Sequence, residues 1–286
     1  MVQAVEGERN DMLRNGQRNE RIGKLLAIDT STSVLTVALS VDGKIVSERS
    51  SQAERNHSIK LLPEIDDMLK DAGALPSDLD AVAVGTGPGS YTGVRIGVTV
   101  AKTFAWSLGI PVIGVSGLEA LALGDAHTLE REHPSSNAPR WYVPLLDARR
   151  KQAFCAVFAS GPNGWQRVAE DGIRVVENWL EPLGELLARS REQGAGPEGI
   201  LFGGETAGFR ETILAWSESG RGTAATDIRD SGISAAEIAE LAWRRIGSGA
   251  EADDTHALVP NYTQLAEAEV KLLQKENGGG EPFGAS

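Results

Sequence analysis

The chain has 286 residues, a formal net charge of −12 and 41% hydrophobic residues. This length allows one two-lobed protein or two domains, each with a sizeable core. The acidic balance argues against a protein that binds nucleic acid by itself. No apolar run approaches the length of a membrane span, and Cys155 is the single cysteine. We therefore expect a cytoplasmic protein without a membrane partner or an internal disulfide.

The first residues predict an extension followed by a β-rich start. Residues 1–24 are polar, mixed in charge and without the apolar core of a signal peptide, so we expect a disordered N-terminal extension. The next residues then alternate between apolar runs and turn residues, which is typical of an antiparallel hairpin after a buried strand. The predicted pieces are a strand at 25–28 ending at Asp29, a polar turn at 30–33, and strands at 34–41 and 44–48 joined by Asp42 and Gly43.

A glycine-rich stretch, VAVGTGPGSYTGVRIG at residues 82–97, is the most distinctive feature of the chain. It lies between an apolar run and a helical pattern. Glycine tolerates positive φ angles and has no Cβ to hold a neighbour away, and a helix start offers unpaired N–H groups. The turn therefore suits close approach by a phosphate or by another chain. It matches neither the Rossmann nor the Walker fingerprint.

The second half of the chain repeats the pattern of the first. Residues 141–159 again predict a strand, an acidic residue (Asp147), a polar turn and a returning strand, and residues 201–208 predict another strand that enters a glycine turn. Two such halves would form a cleft at the carboxyl ends of their strands. We predict an N-terminal lobe at 25–122, a loop insertion at 123–140, a C-terminal lobe at 141–250, and a C-terminal segment with a flexible tail at 251–286.

The turn after Asp29 resembles the first phosphate-binding loop of the actin/hexokinase/Hsp70 ATPase superfold, which is ribonuclease H-like. That resemblance implies an α/β fold with two duplicated β-β-β-α-β-α lobes. In the superfold the acidic residue holds a metal ion or water near the nucleotide. The loop usually has glycine two residues after the acid, whereas Ser31 stands there in this chain. The candidate residues of a vestigial cleft are Asp29, Thr30, Asp147, Gly203 and Gly204.

Four segments together resemble the TsaB family of bacterial tRNA threonylcarbamoyladenosine biosynthesis proteins, also called YeaZ: AIDTST, the helix start with His57-Ser58 and Leu61-Leu62-Pro63, GTGPGSYTGVRIG and PVIGVSGLEALA. The resemblance implies a non-catalytic scaffold that pairs with the catalytic paralogue TsaD. It also implies that the ATPase subunit TsaE joins the complex and that this chain forms a homodimer when alone. ATP is then used elsewhere in the complex, this chain requires no cofactor, and tRNA is reached only through the complex.

The catalytic paralogue holds a metal with two histidines at positions i and i+4, a spacing that points both rings to one side of a helix. The matching segment here, residues 116–121, contains no histidine, and the chain's four histidines include no such pair. The sequence also lacks H-E-x-x-H and G-x-S-x-G motifs. We therefore expect no catalytic residues, no metal site and no enzymatic activity from the isolated chain.

Small residues recur every four positions after the glycine-rich turn, which indicates a nearly bare helix face that allows close approach. An earlier helix, at about residues 58–72, has apolar residues on more than one side. We expect these faces to bind another chain, so that Gly97→Trp would leave the fold largely intact but abolish pairing. The alternative is that the bare face packs against this protein's own first helix. The predicted interface residues are Ile59, Leu62, Ile65, Leu69, Gly93, Gly97, Ala101 and Ala105.

Two other functions stay open from the residues alone. A small-molecule kinase or ATPase of the same superfold would use Asp29, Asp147 and the Gly203-Gly204 turn in its cleft, although the sequence singles out no catalytic base. Saturable ATP binding with Asp29-dependent turnover would favour it. A metalloprotease would instead show EDTA-sensitive peptide cleavage.

Overall fold

The computed structural model describes residues 22–53, 56–134, 138–162, 164–220 and 224–263. Within these ranges the chain folds into two five-stranded mixed sheets and six α-helices. The first sheet contains β1 (Lys24–Asp29), β2 (Val34–Val41), β3 (Lys44–Gln52), β4 (Ala81–Gly85) and β5 (Val112–Val115). The second contains β6 (Arg140–Asp147), β7 (Gln152–Ser160), β8 (Gln166–Val175), β9 (Gly199–Gly204) and β10 (Ala225–Asp230). The helices are α1 (His57–Asp71), α2 (Tyr91–Leu108), α3 (Gly117–Glu132), α4 (Val176–Glu192), α5 (Arg210–Glu218) and α6 (Ala235–Gly247).

The two sheets share one topology. The first has the order β3-β2-β1-β4-β5, and the second has the equivalent order β8-β7-β6-β9-β10. In each sheet the central strand pairs antiparallel with the strand that follows it and parallel with the fourth strand. The predicted duplication and the α/β superfold are therefore confirmed.

Three apolar clusters hold the layers together. One lies between the first sheet and the outer helices α1 and α2, and another between the second sheet and α4 and α5. The third lies between the sheets, where α3 and α6 contribute Leu121 and Ile238. Each fully buried side chain of this size contributes about 1.5–3 kcal/mol through removal of apolar surface from water. The inner strands β1, β4, β6 and β9 are buried on both faces, which explains their nearly continuous hydrophobic runs.

The inner helices pack on the sheets in a way that the predicted domain limits did not anticipate. Helix α6 belongs by sequence to the predicted C-terminal lobe at 141–250, but it contacts β1, β2, β4 and β5 of the first sheet. Helix α3 contacts β6, β7 and β9 of the second sheet. Each lobe therefore receives a helix from beyond its own strands, and the sequence boundary between the lobes is not a packing boundary.

The predicted loop insertion at 123–140 is wrong for its first ten residues, because α3 continues through Glu132. This helix begins with a capping serine: the Ser116 hydroxyl accepts a hydrogen bond from the Glu119 N–H at 3.2 Å. Asp125 breaks the apolar pattern of the helix, yet it is buried at 3% exposure. The loop was predicted from Pro134 and Pro139, and both prolines lie beyond the end of the helix.

Parts of all five predicted segments lie outside the described residues: 1–21 of the N-terminal extension, 54–55 of the N-terminal lobe, 135–137 of the loop insertion, 163 and 221–223 of the C-terminal lobe, and 264–286 of the C-terminal tail. Residues 251–263 pack on the first lobe, starting with an antiparallel bridge between Asp253 and Val112. Among the helices of the described ranges, none has the length and apolar character needed to cross a membrane.

Candidate functional site

The glycine-rich loop packs on the turn that follows β1. The Ser90 N–H donates to the Ser31 carbonyl at 2.7 Å, and the Thr30 hydroxyl donates to the Gly93 carbonyl at 2.8 Å. A Cβ at Gly89 would clash with the Ser31 backbone. The glycines therefore allow two segments of the same chain to touch, which differs from both uses predicted from the sequence, a phosphate and another chain.

The bare face of α2 is the inner face of that helix. Gly93, Gly97, Ala101 and Ala105 are buried within the chain. A Cβ at Gly97 would clash with the Thr30 hydroxyl and contact Val84. The expectation that Gly97→Trp leaves the fold intact is therefore wrong. The face packs mainly on β4 and the turn after β1, although α1 and α2 are also in contact.

The predicted interface divides into buried and exposed members. Ile65 and Leu69 are each 1% exposed and belong to the cluster beneath α1. They cannot contact a partner from this position, and neither can the four small residues of α2. Only Ile59 and Leu62 of the predicted set lie at the surface, with exposures of 71% and 53%. Sequence periodicity missed a third exposed residue, Trp106 on α2, which is 72% exposed.

Asp29 does not face the cleft between the lobes. Its Oδ1 accepts hydrogen bonds from the Ser31 N–H at 2.9 Å and the Ser31 hydroxyl at 2.8 Å, while its Oδ2 is buried without a partner. A Cβ at Gly85 would clash with that Oδ2. Burial raises the pKa of the Asp29 carboxyl to about 6, an effect that the hydrogen bonds from Ser31 only partly offset. The predicted role of Asp29 and Thr30 in the cleft is therefore not supported by their position.

A cavity of about 830 Å³ separates the lobes at the carboxyl ends of β1 and β6. Its walls include His57, Asp147, Arg149 and Glu205 together with the Ser31–Ser33 turn. The Asp147 N–H donates to Glu205 Oε2 at 2.7 Å, and Asp147 Oδ1 accepts from the Arg149 N–H at 2.7 Å. Two acidic side chains, Asp147 and Glu205, and one basic side chain, Arg149, line this end, a balance of charge that disfavours a polyphosphate.

Asp147 is thus the one member of the predicted cleft set that lines this cavity. Gly203 lies against the buried carboxylate of Asp125, with which a Cβ would clash. Gly204 has a φ of +105°, and its N–H donates to the Ser231 hydroxyl at 2.8 Å. Both glycines serve the packing of β9.

The segment that corresponds to the metal-binding histidines of the catalytic paralogue forms the first turn of α3. Glu119 in this turn is 2.8 Å from Arg167 on β8 and also accepts from the Trp165 indole at 3.2 Å. In the described part of the chain, no group of three or more His, Cys, Asp or Glu side chains is arranged to hold a metal ion. The turn has become a contact between the lobes.

Known proteins resemble this chain over nearly its whole folded length. A family model described as TsaD, tRNA N6-adenosine threonylcarbamoyltransferase, matches residues 45–272. The tRNA threonylcarbamoyladenosine biosynthesis protein TsaB of Bacillus subtilis (strain 168) is 34% identical over 252 residues, covering 88% of this chain and 99% of the relative. The chain belongs to the TsaB family. TsaB of Escherichia coli (strain K12) is 36% identical over 141 residues, covering 49% of this chain and 57% of that protein.

The solved structure of YeaZ from Pseudomonas aeruginosa shares the fold, with a TM-score of 0.61 and 23% identity over 84% of this chain and 99% of that one. A second Pseudomonas aeruginosa structure, described as similar to peptidase YeaZ, has a TM-score of 0.62 at 24% identity, covering 85% of this chain and all of the other. The TsaB family assignment gives this chain a role in tRNA threonylcarbamoyladenosine biosynthesis.

Sequence reasoning missed one cluster of this TsaB-family chain altogether. Tyr91 and Arg95, from the glycine-rich stretch and the first turns of α2, contact Tyr262 near the end of the described chain. The tripeptide Pro260-Asn261-Tyr262 was visible in the sequence, but Arg95, the hydrogen-bond partner of its tyrosine, lies 167 residues away. Local patterns carry no information about such a contact.

Proposed function

We propose that this TsaB-family chain is a non-catalytic scaffold and activator of the complex that installs threonylcarbamoyl on tRNA adenosine next to the anticodon. In this proposal it pairs with the catalytic paralogue TsaD through the outer face of α1 and α2, and TsaE joins the complex. The supporting observation is the exposure of Ile59, Leu62 and Trp106 on two helices that contact each other. Large apolar side chains exposed on two neighbouring helices favour a protein–protein contact.

The proposed role has a simple physical basis. A subunit that binds one arrangement of TsaD more tightly than another shifts TsaD towards the arrangement that it prefers. The same helix face would support a homodimer when the chain is alone. The net charge of −12 supports indirect rather than direct contact with tRNA. The isolated chain would need no cofactor, would show neither transferase nor protease activity, and would work in the cytoplasm.

The decisive experiment changes one exposed residue of the helix face. Leu62→Asp should weaken binding to TsaD of the same organism roughly tenfold or more in titration calorimetry, because an unpaired carboxylate would be buried in an apolar contact. Leu214→Asp is the matched control, since Leu214 is 42% exposed on α5 of the other lobe. Unchanged affinity of Leu62→Asp would refute the proposed interface, as would an equal loss in both variants.

A kinase or ATPase of the same superfold has less support. Asp29 is buried away from the cavity, and the Asp147 end of the cavity carries two carboxylates. One observation still favours testing it, namely that Asp147 lines a cavity of about 830 Å³. Titration of the isolated chain with ATP and Mg²⁺ separates the two functions, because saturable binding abolished by Asp147→Ala would favour the kinase.

A further inference from the structure

The chain after α6 returns along the edge of the first sheet. The Asp253 N–H donates to the Val112 carbonyl at 3.0 Å, and Asp253 Oδ2 accepts from the Gly114 N–H at 2.7 Å. Arg245 of α6 holds the same carboxylate oxygen at 2.9 Å and also donates to the Gly114 carbonyl. Asp253 therefore occupies hydrogen-bonding positions of β5, which is an edge strand of its sheet.

The next residues are held by α2. The Lys102 ammonium donates to the carbonyls of His256 and Leu258 at 3.1 and 2.9 Å. The Leu258 side chain packs against the cluster beneath α2, and a Cβ at Gly114 would approach its Cδ1 to 2.9 Å. This part of the chain is thus fixed to the first lobe by both polar and apolar contacts.

Asn261 then connects the two lobes. Its backbone N–H donates to the Thr86 carbonyl of the first lobe at 2.7 Å, and its side-chain amide donates to Asp171 Oδ2 on β8 of the second lobe at 3.1 Å. Asp171 also accepts from the Ser116 hydroxyl at 2.7 Å and forms an ion pair with Arg167. One amide side chain therefore joins a network that already links β8 to the start of α3.

Tyr262 contacts two residues of the glycine-rich segment, Tyr91 and Arg95. Arg95 Nε donates to the Tyr262 hydroxyl at 2.9 Å, and the rings of Tyr262 and Tyr91 lie 5.8 Å apart. The Arg95 guanidinium stacks over the Tyr91 ring at 4.2 Å from its centroid. Tyr91 is also a wall of the cavity between the lobes.

We propose that residues 251–263 form a strap that fixes the angle between the lobes and so sets the width of the cavity. Asp253 and Leu258 anchor the strap to the first lobe, Asn261 crosses to the second, and Tyr262 locks its end against Tyr91 and Arg95. The glycine-rich segment therefore has a second role, since its Tyr91 and Arg95 hold Tyr262 in place. The strap does not depend on the proposed pairing with TsaD.

Distance measurement between the lobes tests the strap. Nitroxide labels at Val46→Cys and Leu214→Cys report the separation by double electron–electron resonance, because these residues are 52% and 42% exposed on opposite lobes. The native Cys155 is buried, and burial raises the pKa of its thiol to about 11, so labelling is confined to the introduced cysteines.

Two point changes should release the strap while keeping both lobes folded. Asn261→Asp places a second carboxylate opposite Asp171, and Tyr262→Ala removes the lock. Each should broaden the distance distribution about twofold, as expected when a fixed hinge becomes free. Val259→Ala is the matched control, because Val259 lies in the same strap and is 62% exposed.

A further pair of variants and two folding measurements distinguish release of the strap from a general loss of structure. Arg95→Ala should broaden the distribution as Tyr262→Ala does, and the double variant should add nothing further, since both remove one contact. Circular dichroism and thermal unfolding confirm that each variant is folded. Distributions for Asn261→Asp and Tyr262→Ala that match Val259→Ala in folded protein would overturn the proposal.

Discussion

Gly97 lies where α2 comes closest to the turn after β1, and its hydrogen atom leaves room for the Thr30 side chain. Gly97→Ala would place a methyl group against the Thr30 hydroxyl, which at present donates to the Gly93 carbonyl. We expect the variant to lose about 1–3 kcal/mol of unfolding free energy through overpacking, as measured by urea denaturation.

The control for this prediction is another helical glycine. Gly247 at the end of α6 has open space where a Cβ would go, so Gly247→Ala should be neutral or stabilising. Adding Thr30→Ala to Gly97→Ala should recover part of the lost stability, because it removes the hydroxyl that the new methyl group meets. Equal stability of the Gly97 and Gly247 variants would show that the approach of α2 to the turn is not tight.

Asp29 makes stability depend on pH in an unusual direction. Burial raises the pKa of its carboxyl from 3.8 to about 6, so the folded state binds the proton more tightly than the unfolded state. The stabilisation from this proton is fully present below 3.8 and is lost as pH rises through about 6. A pKa shift of this size corresponds to a contribution on the order of 3 kcal/mol to the free energy of unfolding.

Replacing this carboxyl by an amide removes the titration. Between the ordinary and the raised pKa of Asp29, the unfolding free energy of Asp29→Asn should fall less with pH than that of the unaltered protein. At pH values above the raised pKa, the variant should be at least as stable as the unaltered protein. Urea unfolding across that pH range measures both effects. If the unfolding free energy of the variant changes with pH as steeply as that of the parent, the titrating group is not Asp29. The next candidate is the buried Asp125, because burial also raises the pKa of its carboxyl to about 6.

At the scale of elements, strands were predictable and helix faces were not. The runs at 25–28, 34–41 and 44–48 correspond to β1, β2 and the start of β3, because continuous apolar residues and a hairpin turn are local signals. The four-residue spacing of small side chains on α2 correctly indicated close approach. It could not say what approaches, since a self-contact and a partner contact need the same bare surface.

For helix α3, the beginning was predictable from the sequence but the length was not. Its start was readable, because Ser116 and Glu119 have the spacing of a capping box. Its continuation was missed because Pro134 and Pro139 indicated a loop, although both prolines lie beyond the end of the helix. Asp125 is buried against Gly203 of the second sheet, and His127 faces α6. A polar residue whose partner is far away in sequence defeats any prediction based on periodicity.

The molecule as a whole is joined by the inner helices, which cross between the sheets. Helix α3 packs on the second sheet, α6 packs on the first, and the two helices contact each other. His127 of α3 lies 3.4 Å from Glu237 and 3.6 Å from Glu240, both on α6. His127 therefore links α3 and α6, the two helices that lie between the sheets.

Protonation of His127 should make the stability of the contact between α3 and α6 depend on pH. The hydrogen bond to Glu237, aided by the charges of Glu240, Glu237 and Glu130, raises the pKa of the His127 imidazole above its usual value despite partial burial. A raised pKa in the folded state means that the contribution to stability is fully present below the unfolded pKa and is lost as pH rises through the folded one.

His127→Gln should therefore lower the unfolding free energy more at about pH 6 than at about pH 8, because only the protonated imidazole is stabilised by the glutamates. Urea denaturation at both values measures the difference, and Glu237→Gln should remove most of it in a double-mutant cycle. A loss that is equal at both pH values would mean that His127 acts through packing alone. The inner helices would then be held by their apolar faces, and the lobes would stay joined across this pH range.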